Sequence, residues 1–315
     1  MALIVAFGVA LVATPVAMFV ATRIGFVNRP GPLKVHARPI PYLGGAAVFA
    51  ALAGPVIAVR PSLLVPLLLA TALGLADDAA DVPPLARLAV ELAIGVAAAW
   101  VVAPHGAGYV VLGVVVVVVL INAVNFLDGL DGLAASVAAI GAFGSFVVLS
   151  GWSATLALAL VGALAGFLVW NAPPAKVHLG DSGSYLVGTT LALLFLAAAP
   201  RDTPVVSAAF LFVGVPVADT GVAIIRRFRA HTPLMRGDRG HVYDQLVDRG
   251  WPAPTAVLAC AAAQAVLTAI GIAVANLDAG VAVLVTALTV LSVGGSAILV
   301  FTSPRAWDTR GPEGA

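Results

Sequence analysis

Asp77-Asp78-Ala79-Ala80-Asp81 closes a long apolar run. Residues three or four apart share a helix face, so Asp81 can converge with Asp78 or with Asp77. Carboxylates this close repel one another unless a proton, a divalent cation or a basic substrate group intervenes. The plainer alternative is a solvated turn that ends a helix. Asn122-Ala-Val-Asn125-Phe-Leu-Asp128-Gly-Leu-Asp131-Gly132 follows a run of valines. Here two amides and two carboxylates recur every third residue, which lines one side of a helical segment. They offer hard oxygen ligands and hydrogen-bond acceptors, and the glycines permit close backbone approach. A re-entry turn accounts for Asp-Gly but not for that repeat.

Three further stretches carry polar chemistry. In His178-Leu-Gly180-Asp181-Ser182-Gly183-Ser184 a carboxylate lies between glycines at the start of an apolar run. Such a carboxylate can hold a cation while nearby N–H groups meet phosphate oxygens, or it can simply cap a helix. Lys34-Val-His36-Ala-Arg38-Pro-Ile-Pro41 suits phosphate binding, or ordinary positive charge beside a membrane. The stretch Arg226–Gly250 holds an arginine cluster, then Arg236, Asp238-Arg239, His241, Tyr243 and Asp244. It suits a sugar or a diphosphate, since Arg grips phosphate in bidentate fashion.

The elements that must position these groups are membrane helices. The chain has 315 residues, 61% of them hydrophobic and 10% charged, against about 25% charged in soluble domains. So much apolar surface cannot be hidden in one core, and the runs are continuous without the alternation of barrel strands. A span needs about 20 apolar residues. The runs predict an all-α polytopic protein of ten or eleven transmembrane helices, at 3–22, 43–59, 61–77, 85–103, 108–126, 133–150, 153–171, 184–199, 204–225, 253–275 and 279–301. The first reads as a retained span rather than a leader peptide, since it lacks a basic leader and a clear small-residue cleavage site. Residues 1–302 form one transmembrane domain and 303–315 a short tail. The single cysteine, Cys260, rules out an internal disulfide and a cysteine-based metal site.

With eleven spans, the loops after odd-numbered spans and the C-terminal tail share one face, and 14 of the 16 Lys and Arg residues fall there. Only Arg60 and Arg201 lie opposite. Positive residues mark the cytoplasmic side, which puts the N-terminus outside and the C-terminus inside a cell membrane. Nearly all the acids gather on that same face, as one site assembled from several loops would require. A transporter would instead place charges near mid-span. Glu91 and Asp219 come nearest to that.

In this order the segments KVHARPIPYLGG, DDAAD, NAVNFLDGLDGLA, PPAKVHLGDSGS and VPVADT with the basic stretch after it resemble the polyprenyl-phosphate N-acetylhexosamine-1-phosphate transferase family, from about Lys34 to Gly250. That family includes phospho-N-acetylmuramoyl-pentapeptide transferase, but the wording is closer to the N-acetylglucosamine-1-phosphate branch. The resemblance implies transfer of a sugar-1-phosphate, expected to be GlcNAc-1-phosphate, from a UDP-sugar to polyprenyl phosphate. The reaction releases UMP and requires Mg²⁺, with Mn²⁺ an admissible substitute, as the first membrane step of cell-envelope glycan assembly. Partners are then the UDP-sugar, the lipid and the membrane, with room for a homodimer and no role for nucleic acid.

By the same resemblance Asp77 and Asp78 match the catalytic acid pair, and Asp181 the metal-binding aspartate with Asn125 as an added contact. Lys34, Asp81, Asn122, Asp128, Asp131, Asp219, Arg239 and His241 are expected on the substrate side. The chain departs from the family at His241-Val-Tyr243-Asp244, where His-x-His-His is usual, and at His178, where an aromatic or aliphatic residue is usual. A rival from another class is a non-catalytic relative acting as an assembly partner, which the intact acids oppose.

Overall fold

The computed structural model describes residues 1–28, 39–103, 106–232 and 240–302. The expected tail 303–315, Lys34 and Arg239 lie outside the described residues. Thirteen α-helices and one two-stranded pairing, Val27–Asn28 (β1) with Ile40–Pro41 (β2), make up the described fold. The helices are α1 Ala2–Ile24, α2 Gly44–Val59, α3 Leu64–Ala80, α4 Pro84–Val102, α5 Ala107–Leu127, α6 Leu133–Val148, α7 Trp152–Asn171, α8 Gly180–Ala198, α9 Thr203–Phe212, α10 Gly214–Arg229, α11 Val242–Asp248, α12 Ala253–Val274 and α13 Ala279–Phe301.

Eight described helices are long and apolar enough to cross a membrane, and the bent pair α9–α10 makes a ninth. The apolar helices α2 and α6 are shorter, at 16 residues each. Even so, α2 runs from one face to the other. Gly44 at its start donates to the His178 carbonyl at 3.2 Å. Arg60 at its end donates to the Val102 carbonyl at 3.1 Å and lies over Trp152. These segments match the eleven expected spans, and the protein is an all-α, multi-pass membrane protein.

α8 is the axis of the bundle, packed against α2, α3, α4, α5 and α7. Nearly all of its residues are buried, whereas α13 buries only Ala282. Lipid offers helices no hydrophobic reason to associate, so close packing depends on small residues. A Cβ on Gly45 would fall 2.6 Å from the Gly183 Cα, so α2 and α8 touch backbone to backbone beside the site.

Two expectations about the spans are corrected. The expected continuous ninth span, 204–225, is two helices meeting at a 65° bend. Pro216 has no N–H to give the Phe212 carbonyl. Gln264 of α12 mends the gap, donating to the Leu211 and Phe212 carbonyls at 3.1 Å each and accepting the Val215 N–H at 3.1 Å. Broken backbone at membrane depth persists only where such partners exist. α10 then continues to Arg229, so the arginine cluster is helical and not part of a loop. In addition, α8 begins at Gly180, four residues earlier than expected, so Asp181 lies in its first turn rather than in a break.

Candidate active site

Asp77 and Asp78 are neighbours on α3 with opposite surroundings. Asp77 is buried, with Oδ1 accepting the Val82 N–H at 2.8 Å and Oδ2 accepting the Tyr185 hydroxyl. Arg87 approaches Oδ2 at 3.6 Å, and its Nε lies 3.4 Å from Glu91. Arg87 also donates to the Asn122 amide oxygen at 3.3 Å, and Asn122 donates to Glu91 at 2.8 Å. Thus one guanidinium bridges two acids, and the intramembrane charge of Glu91 is compensated as buried ions require.

Asp78 faces α8. It accepts the Asp181 N–H at 2.9 Å and the Ser182 N–H at 3.1 Å. A carboxylate from another helix therefore does what a local N-cap does, at the end of α8 where backbone N–H groups and the helix dipole favour negative charge. Gly180 is required there twice over. Its φ is +72°, and a Cβ would fall 2.8 Å from Asp78 Oδ2.

Asp181 is oriented from the other side by α5. The Asn125 amide donates to Asp181 Oδ1 at 2.6 Å and to the Ser184 hydroxyl at 3.2 Å. Asp128, half-buried at the end of α5, is pushed well above the usual carboxylate range. Burial is the main cause, followed by the charges of Asp181, Asp78 and Asp131. The Tyr42 phenol is pushed up to about 12, chiefly by burial, then by the charges of Asp78, Asp181, Asp128 and Asp81. Tyr42 therefore keeps its proton near neutral pH and remains a hydrogen-bond donor beside the acids.

The expected groupings are partly redrawn. Asp81 does not converge with its neighbours, because it is the left-handed residue after α3, with φ +46°, and is exposed. The repeat Asn122, Asn125, Asp128, Asp131 does not line one helix face, since α5 ends at Leu127. Asn122 turns to Glu91 and Asn125 to Asp181. Asp131 accepts the Ala175 N–H at 2.9 Å and lies 3.9 Å from His178. The His178 ring in turn bonds the Asn28 amide at 3.2 Å, and the His178 backbone N–H donates to the Pro41 carbonyl at 3.0 Å. This ties the N-terminal segment to the turn before α8. Asp219 and His241 form a separate buried pair joined at 2.7 Å.

Sequence reasoning missed Arg87, Tyr185 and Tyr42 as site residues. Arg87-x-x-x-Glu91 is a readable helix pair, but its position on the basic face made Arg87 look like an ordinary inside charge.

The donor set suits a hard divalent cation. Among the described residues no three His, Cys, Asp or Glu side chains are close enough to hold a metal unaided. Asp78, Asp128 and Asp181 nonetheless crowd negative charge together. Mg²⁺ characteristically takes one or two carboxylates and completes its shell with water and substrate phosphates.

Residues 61–199, which carry most of these groups, match glycosyl transferase family 4. The chain is 32% identical over 239 residues to the undecaprenyl-phosphate alpha-N-acetylglucosaminyl 1-phosphate transferase of Thermotoga maritima, covering 73% of this chain and 76% of the relative. It is 26% identical over 276 residues to the "Probable undecaprenyl-phosphate N-acetylglucosaminyl 1-phosphate transferase" of Bacillus subtilis, covering 79% and 77%. A shorter stretch of 41 residues, 13% of each chain, is 56% identical to the phospho-N-acetylmuramoyl-pentapeptide-transferase of Oceanobacillus iheyensis. With the acid motifs set at one end of a membrane bundle and this likeness over most of its length, the chain belongs to the polyprenyl-phosphate N-acetylhexosamine-1-phosphate transferase family, within glycosyl transferase family 4.

Proposed function

We propose that this protein transfers a sugar-1-phosphate, GlcNAc-1-phosphate in the first instance, from a UDP-sugar to polyprenyl phosphate and releases UMP. The observation that carries the reading is the crowding of Asp78, Asp128 and Asp181 around the start of α8. Asn125 and backbone N–H groups fix those acids at the membrane surface, where a lipid phosphate and a soluble nucleotide meet.

An oxygen of the lipid phosphate attacks the sugar-bearing phosphorus of the UDP-sugar. The bond from that phosphorus to the bridging oxygen breaks, and UMP leaves with the electron pair. The acceptor, with a second pKa near 6, is mostly a dianion at neutral pH and needs no strong base. Both oxygens of Asp77 and both of Asp78 already accept hydrogen bonds. Those bonds pin the carboxylates and weaken them as nucleophiles, which favours direct attack over an aspartyl intermediate.

Asp181 and Asp128 would hold Mg²⁺, which neutralises charge between the two phosphates when bound. Asp78 fixes Asp181 through its backbone, and Asn125 through its side chain. The charge asymmetry of the loops supports a cytoplasmic site, an external N-terminus and a cytoplasmic C-terminus.

UMP release by the purified protein, with polyprenyl phosphate and a panel of UDP-sugars, tests the reading. Release that needs the lipid and Mg²⁺, and is lost in Asp181→Asn, supports it. A folded protein that releases no UMP from any donor sinks it.

A further inference from the structure

The buried pair Asp219–His241 lies outside the acid cluster, and the reaction above does not use it. Asp219 is on α10, just past the 65° bend, and His241 opens α11. The side chains are 2% and 5% exposed, and His241 Nδ1 lies 2.7 Å from Asp219 Oδ2. The second carboxylate oxygen accepts the Val242 N–H at 2.7 Å. Both oxygens are thus committed to one residue pair, and Nδ1 must carry a proton to complete the bond.

The ring is also held on its faces. It stacks on Tyr243, with centroids 5.7 Å apart and planes 7° apart, and lies 5.3 Å from the Phe126 ring. Tyr243 is itself anchored, its hydroxyl donating to the Phe126 carbonyl at 2.9 Å and lying over Gly129. Phe126 sits between Asn125, which orients Asp181, and the turn that carries Asp128. The His241 ring thus packs on the α5 residue that follows Asn125. Its Nε2 has no hydrogen-bond partner among the described residues, and it is not among the buried atoms left unsatisfied there.

We propose that Asp219 is a positioning residue. It fixes His241 as the Nδ1–H tautomer and leaves Nε2 as an acceptor for a hydroxyl or N–H group of the sugar nucleotide. Tyr243, which stands where the family usually has a second histidine, braces this ring from α11 and is itself anchored on α5. The inference rests on the transferase reading. A side chain that holds the far nitrogen of a histidine decides what the near nitrogen can do.

Asp219→Asn separates this role from mere packing. An amide of the same shape offers one acceptor and one donor, so it cannot serve both the Val242 N–H and the Nδ1–H. The expected result is a protein as stable as the parent whose kcat/KM falls roughly tenfold to a hundredfold. His241→Gln, which keeps an acceptor at that reach, should retain more activity than His241→Phe or His241→Arg. Selective ¹⁵N-histidine labelling gives a readout independent of turnover, and the proton should sit on Nδ1 in the parent and shift in Asp219→Asn. An unchanged tautomer with unchanged kinetics overturns the assignment. An active His241→Arg overturns the acceptor role in favour of an anion contact. Absence of UMP release from the unmodified protein condemns the transferase reading instead, and the NMR result still decides the tautomer.

Discussion

Asp77 and Asp78 are adjacent in sequence and open onto two different electrostatic regions. On the Asp77 side, two acids, one arginine, an amide and a phenol close into a network whose charges compensate at short range. On the Asp78 side, acids from α3, α8 and the turn after α5 gather with backbone N–H groups and an amide as their principal donors, so among the described residues negative charge is in excess. The first region is built as an apo-protein would need it. The second is short of cations among the described residues. A paired network is a scaffold, and an unpaired one beside it is where a ligand is expected.

The sharpest way to break this contrast is to remove one charge from each side. Asp181→Asn should cost on the order of 10³-fold in kcat, the scale seen when one preorganised electrostatic partner is removed, with little change in thermal stability. Arg87→Ala should act in the opposite way. It leaves Asp77 and Glu91 buried without their cation, a loss of about 3–5 kcal/mol that thermal unfolding in detergent will show as a lower midpoint. Adding Glu91→Gln to Arg87→Ala should recover part of that loss. No recovery would mean that the network is not a unit.

The span pattern was readable because membrane thickness fixes the length of an apolar run, and the shared face was readable because charge is excluded from those runs. What escaped depends on partners distant in sequence. Gly180-Asp181-Ser182-Gly183 reads as a turn, and it is helical because Asp78, 103 positions away, caps it. Pro216 is a visible breaker, but the side chain that makes the break tolerable, Gln264, lies 52 residues downstream of Phe212. The division of labour between Asp77 and Asp78 was equally hidden. Adjacent helical residues point about 100° apart, and only the packing of α4 and α8 says what each one meets.

Asp128 sharpens the contrast through pH. Its folded-state pKa is raised, so the proton favours the folded form. That contribution is complete below the unfolded value of about 4 and is lost as pH rises through the folded value. At neutral pH Asp128 is therefore a net cost to the metal-free protein, because the unfolded chain ionises it more readily than the folded one. Asp128→Asn should raise the apo midpoint at neutral pH, and the gain should shrink on acidification and on addition of Mg²⁺. A lower midpoint at neutral pH would place Asp128 in the compensated region.

The smallest effect belongs to the end of the bundle opposite the acids, where Arg60 lies. Arg60 lies 5.1 Å from the Trp152 ring centroid and donates to the Val102 carbonyl, joining the ends of α2, α4 and α7. A partly exposed cation–π contact contributes about 0.5–1 kcal/mol, and no acid of the site shares a bond with it. Arg60→Ala should therefore lower the unfolding midpoint slightly and leave kcat and KM as they were. A tenfold fall in kcat/KM at unchanged stability would show that the bundle transmits strain from that face to the start of α8, and the site could no longer be treated as confined to one end.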